Sequence, residues 1–231
     1  MIDTNRLFEQ FLGSGQNTSQ GQAGMGGLGQ GGAGKGSFVK GAAAGGILGL
    51  LVGNKKMRKM AGGMIGYGGA AAAGALAYKA YQNWQQGKQV ATAPVASPAD
   101  MNNVDPKFLP NADHSPASQN FSLTLITAMI AAAKADGHID AQEQSAIFEQ
   151  VEKMSLDAES KGFVFDALRK PVDLDALVAG AQGIEQASEV YLVSRAAIDV
   201  DHPAERAYLE VLAHRLQLPA ELVAHLDHQL S

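Results

Sequence analysis

From Phe121 to the C-terminus the apolar positions recur with a helical period, and no stretch shows the alternate-residue pattern of a half-buried strand. The pattern predicts seven helices. Ser122 to Ala135 is nearly all apolar (Leu123, Leu125, Ile126, Met129, Ile130), which suits the buried centre of a bundle. A second helix, Ala141 to Met154, has Asp140 as its cap and Glu143 at the third position, a capping box with Asp in place of Ser or Thr. Ser155 or Asp157 opens a third, ending at Leu168 ahead of Pro171, and Asp173 caps a short fourth, Leu174 to Ala181. Gly183 breaks the chain before Glu185 to Ile198, and Pro203 and Pro219 start the last two.

Upstream the pattern changes character. Ile2, Leu7, Phe8, Phe11 and Leu12 fit one face of a short helix capped by Asp3 or Thr4, which lies on a membrane, touches the C-terminal domain or frays. Residues 1–36 otherwise read as a flexible Gly/Gln-rich segment, because such composition cannot bury enough apolar surface to order itself. Two glycine ladders at four-residue spacing follow: Gly41, Gly45, Gly49, Gly53, then Gly62, Gly66, Ala70, Gly74. Glycine costs a water-exposed helix about 1 kcal/mol against alanine. In lipid, small residues on one face let helix backbones approach and associate. Residues 37–84 therefore read as a glycine-zipper membrane region of one or two helices, with Tyr78, Tyr81 and Trp84 as an interfacial belt. Both apolar runs are short beside the roughly 20 residues a span requires, and the second is mostly Ala and Gly.

The intervening Lys55, Lys56, Arg58 and Lys59 should face the cytoplasm. One span then leaves the C-terminal domain cytoplasmic, and two place it outside; the weak second run favours the cytoplasm. Residues 85–119, with Pro94, Pro98, Pro106, Pro110 and Pro116 and no apolar period, read as a linker ahead of a helical domain at 120–231.

Composition and charge sharpen this division. The formal charge of −5 is an average over a basic first half, +5 for residues 1–116, and an acidic second half, −10 for the rest. The basic half suits an anionic lipid surface, and the acidic half repels nucleic acid. With no cysteine, disulfides, thiolate metal sites and cysteine nucleophiles are excluded. Residues 1–12 show no basic-then-apolar order of a cleavable signal peptide.

Candidate chemistry lies at two turns that echo each other, residues 133–143 and 197–205, each running from an Ala-rich helix through an acidic turn with His into a helix with an early Glu. Asp136, His138, Asp140 and Glu143, with Asp199, Asp201, His202 and Glu205, supply hard oxygen ligands for Ca²⁺ or Mg²⁺ and imidazoles for Zn²⁺ or Mn²⁺. A divalent cation is the one cofactor these residues suggest. Capping and turn formation explain the same residues without a metal. The spacing is not that of an EF-hand. His225 and His228, at i and i+3 near the C-terminus, read as part of a solvated face. No G-x-S-x-G, H-E-x-x-H or P-loop is present, so the expectation is a non-enzyme.

The pattern A-K-A-D-G-H-I-D-x-x-E at 133–143, followed some sixty residues on by a second acidic turn, resembles the TerB-like (tellurite-resistance) helical fold. The glycine-rich segment ahead of it resembles that of YebE-like bacterial inner-membrane proteins, a family of unknown function. The resemblance covers roughly residues 35–230 and implies an all-α fold, acidic turns as metal or partner sites, and no enzymatic reaction. His202-Pro203 departs from it, since the second turn lacks D-G. The combined expectation is all-α: glycine-zipper membrane helices plus a C-terminal seven-helix bundle. Functionally it is a membrane-anchored binding or stress-related module that meets lipid, self-associates through its membrane helices and engages a metal ion or a protein partner. The alternative is a structural scaffold assembled through the zippers.

Overall fold

The computed structural model describes residues 2–12, 64–109, 115–137, 156–198 and 200–230, with helical residues also at 145, 147–149 and 151–152. The side chains of Asn5, Glu9, Gln10, Leu12 and residues 64–70 are not described. The first glycine ladder, Gly41 to Gly53, the basic cluster 55–59 and Gly62 lie outside these residues.

Among the described residues all regular structure is helical: α1 (Thr4–Leu12), α2 (Met64–Gln85), α3 (Pro116–Ala133), α4 (Ala158–Arg169), α5 (Leu174–Ala179), α6 (Gly183–Ala196), α7 (Pro203–Arg215) and α8 (Ala220–His228). Local chemistry sets several starts. Asp157 accepts from the Ser160 amide at 2.8 Å, and the same bonds hold its carboxyl below the usual carboxylate range. Asp173 accepts from the Ala176 amide at 3.0 Å, and Ser115 from the Ser118 amide at 3.2 Å ahead of Pro116.

The enclosed centre is α6. Ala187 through Ser194 and Ala196 are all buried, so this helix is surrounded rather than one-faced. It packs on α3, the apolar helix expected at the centre, and on α2, α7 and α8. The phenyl ring of Phe148 stacks edge-on against Phe165 at 4.7 Å and carries Arg169 at 5.5 Å over its face.

α2 corrects the sequence expectation. Ala72, Ala73, Ala75, Leu76, Ala77 and Ala80 are buried in a protein core shared with α6 and α8. Among the described residues no helix is long and apolar enough to cross a membrane. Gly74, the last position of the second ladder, admits a protein neighbour: a Cβ there would lie 3.0 Å from the carbonyl carbon of Phe108 and overlap its oxygen. Gly74 is thus not placed here as a lipid-embedded zipper position. Tyr78 and Tyr81 pack on Phe108 at 5.3 and 5.5 Å rather than standing free as a belt.

The Pro-rich stretch also differs from a mobile linker. Short 3₁₀ turns at Val90–Thr92, Pro98–Asn103 and Pro106–Phe108 lay it along α2 as a strap, with Phe108 buried. Asn83, itself buried, donates to the Pro94 carbonyl at 2.9 Å. Lys79 pairs with Asp100 at 2.8 Å, and with the Ser97 bonds this lowers the Asp100 carboxyl to about 2. That contribution is complete above the ordinary aspartate value and is lost as pH falls through about 2.

α1 completes the core. Leu7, Phe8 and Phe11 are fully buried, and the helix packs on α2 and α3. Of the three roles open to it from sequence, contact with the C-terminal domain is the one observed.

Candidate functional site

The acidic turns begin alike. Gly137, four residues past the end of α3, has φ +78°, and Val200, four past the end of α6, has φ +56°. The echo in sequence is therefore an echo in backbone: each helix exits through a left-handed residue, at low cost for Gly137 and with strain for β-branched Val200. Asp136 is described and has a partner. His138, Asp140, Glu143 and Asp199 lie outside the described residues. At the second turn the cap occupies the named groups: His202 Nδ1 accepts from the Ala204 amide at 3.2 Å, and Glu205 accepts from the His202 amide at 3.2 Å. Asp201 is exposed. Among the described residues no three His, Asp or Glu side chains are grouped to hold a metal ion.

A cavity of about 310 Å³ opens instead between α3, α4 and α5. Ala131, Phe163, Ala167, Val172 and Leu177 give it an apolar lining, and Lys134, Asp166, Lys170 and Asp173 carry its charges. Lys134 shapes the rim. Its ammonium donates to the carbonyls of Ala167 at 3.4 Å, Leu168 at 2.9 Å and Lys170, closing the C-terminal end of α4 where a cation is favoured. Burial lowers its pKa, and three carbonyl partners support the charged form. The lysine of the A-K-A-D-G motif is therefore a structural cation that fixes the cavity wall. Replacing Lys134 with Met is expected to cost about 1–3 kcal/mol, read as a shift in the denaturation midpoint with unchanged slope. The cavity lies at the low end of ligand-pocket volumes, and its lining suits an apolar side chain held among a few polar groups.

α8 differs from its expected solvated face. His225 is 3% exposed, and its Nδ1 has no hydrogen-bond partner. His228 Nε2 lies 3.1 Å from the Ala93 carbonyl, and Gln229 accepts from the Ala96 amide at 2.8 Å. These side chains clamp the strap onto the bundle. Tyr191, which burial raises far above its usual range, donates to Asp227 at 3.1 Å, and Arg195 lies 3.4 Å from the same carboxylate. Sequence reading also missed Glu189. It is completely buried in α6 with both oxygens unpartnered, and burial pushes its carboxyl well above the usual value. Its only signal is an acid in the run Ala187-Ser188-Glu189-Val190-Tyr191-Leu192-Val193, where the apolar face leaves no clear polar side.

Residues 37–230 match the family described as proteins of unknown function, DUF533. The chain belongs to this family. The DUF533 match takes in the region of both glycine ladders and the bundle, while α1 precedes it. The chain is also 37% identical over 98 residues to a protein of Yersinia enterocolitica described as an uncharacterised protein in the ampR 5′ region; the alignment covers 42% of this chain and 70% of the relative. No solved structure matches this DUF533 protein.

Proposed function

We propose that this DUF533 protein is a non-enzymatic binding module held at the cytoplasmic face of the bacterial inner membrane, whose bundle receives an apolar side chain of a protein partner. The observation that carries the binding reading is the cavity walled by Lys134, with its apolar lining and its exposed neighbour Val172. Membrane attachment is supported by the sequence of residues 37–63, a glycine ladder followed by four basic residues, and by the resemblance to YebE-like inner-membrane proteins.

The fold constrains how such attachment works. α1 and α2 share one core, so residues 12 and 64 stand on the same side of any membrane. A single pass by residues 37–52 would part α1 from α2, and α2 is buried in the protein core from Ala72 onward.

A photo-crosslinking amino acid replacing Val172 in the full chain tests the binding reading in the cell. A discrete adduct is expected, lost when Ala176→Trp fills the cavity; an adduct indifferent to that filling refutes the cavity as the site. Separately, sedimentation with membranes through high salt is expected, and a freely soluble full chain would remove the anchor while leaving the cavity test standing.

A further inference from the structure

Residues 170–173 join α4 to α5 outside any helix, and both ends of the connection are extended. Pro171 fixes its own φ and keeps the preceding Lys170 out of the helical region, at φ −70° and ψ 146°, while the capping residue Asp173 stands at φ −115° and ψ 95°. These ends are tied down. The Lys170 amide donates to the Asp166 carbonyl at 2.9 Å, the Lys170 carbonyl accepts from Lys134, and the Asp173 carbonyl accepts from the Leu177 amide at 3.2 Å. The middle is open: among the described residues, the Pro171 carbonyl and the amide and carbonyl of Val172 make no hydrogen bond to protein. Pro171, Val172 and Asp173 are exposed, and Val172 lines the cavity between α3, α4 and α5.

We infer that the cavity takes a peptide segment in extended form: one apolar side chain enters beside Val172, and the peptide backbone exchanges hydrogen bonds with the Val172 amide and carbonyl as an added strand does. The inference rests on the cavity reading above and adds the conformation of the occupant. A helical partner satisfies its backbone within itself, so it offers an apolar side chain but nothing to the Val172 groups. An extended one carries open amides and carbonyls that these groups match. The charges around the cavity do not favour a charged ligand, because each has an answer within the protein: Lys134 is held by the carbonyls at the end of α4, Lys170 pairs with Asp166 at 3.5 Å, and Asp173 accepts from the Ala176 amide at 3.0 Å. Shape and backbone pairing are what remain to select the occupant.

The test selects short peptides from a random library displayed on phage against the full chain in detergent, with counter-selection on Ala176→Trp, whose indole fills the cavity. Retained peptides are expected to share one apolar position, and its replacement by Asp to weaken binding about tenfold or more, as loss of a buried anchor does. Methylating the peptide backbone nitrogens one at a time is expected to weaken binding about threefold to tenfold at one nitrogen and to spare those on either side, because an added strand turns alternate amides outward. Peptides that respond to the Asp change and to Ala176→Trp but to no methylation, or whose apolar positions recur at helical spacing, overturn the extended mode and leave the cavity reading standing. A library that yields no peptide sensitive to Ala176→Trp overturns both. Should Ala176→Trp lose cooperative melting, parent and Asp-substituted peptides are compared on the wild-type chain, and equal affinities overturn the inference.

Discussion

Gly74→Ala is expected to destabilise the bundle by about 2–4 kcal/mol, even though alanine improves an α-helix by about 1 kcal/mol. The two effects oppose each other, and geometry decides which wins. The added methyl would overlap the Phe108 carbonyl oxygen, and that atom belongs to the backbone of the strap and cannot rotate away like the end of a side chain. Either α2 shifts, disturbing Leu76 and Ala77 against the core, or the strap lifts and takes Phe108 out of its buried place beside Tyr78 and Tyr81. Urea unfolding followed by Trp84 fluorescence checks this, since Trp84 stacks with Tyr81 at 5.7 Å. If Gly74 served a lipid-embedded helix pair instead, the same substitution would spare bundle stability and weaken self-association.

Glu189→Met is expected to have the opposite sign, stabilising the protein by about 1–3 kcal/mol at neutral pH. Both carboxyl oxygens of Glu189 lack a hydrogen-bond partner in a fully buried setting, so the wild-type chain bears a desolvation cost that the thioether side chain avoids at similar length. The effect depends on pH in a defined direction. Burial raises the folded-state value, so the native protein keeps this proton while the unfolded chain releases it above the ordinary glutamate range. The unfolded state then binds fewer protons, and wild-type stability falls as pH rises from about 4.3 toward the raised value. The advantage of Met should therefore grow over that window. Paired denaturation series at acidic and neutral pH measure it, and a difference that stays constant or shrinks as pH rises refutes the neutral buried acid.

The acidic turns show why candidate sites were only partly legible. His202 and Glu205 suit a ligand set and a capping box equally well by residue type, since each role asks for an imidazole or carboxylate near a helix start. The bonds to the Ala204 and His202 amides assign them to the cap. Lys134 was visible as part of a motif, but its action on carbonyls more than thirty positions away in sequence was not. Glu189 was hidden for a related reason: an acid in a helix is ordinarily at a polar surface, and only the neighbours enclosing α6 on every side make this one an exception.

Helix identity was determined by the sequence alone, because caps and breakers act within a few residues. Asp157, Asp173, His202 and Pro203 place their helix starts where the structure has them. The all-helical class of the described residues followed likewise from apolar period, whereas the helix expected at the centre, Ser122 to Ala135, packs against α6, which is the enclosed one. The tertiary structure decided what α2 is for. A run of Ala and Gly with aromatic residues at its end is equally apt for lipid or for a crowded protein core, since both select for small side chains that let backbones approach. Burial of Ala72 to Ala80, the Phe108 carbonyl against Gly74, the strap clamped by Asn83, His228 and Gln229, and α1 seated on the same helix assign it to the protein core. These contacts join positions up to 135 residues apart, and no local pattern encodes such pairings.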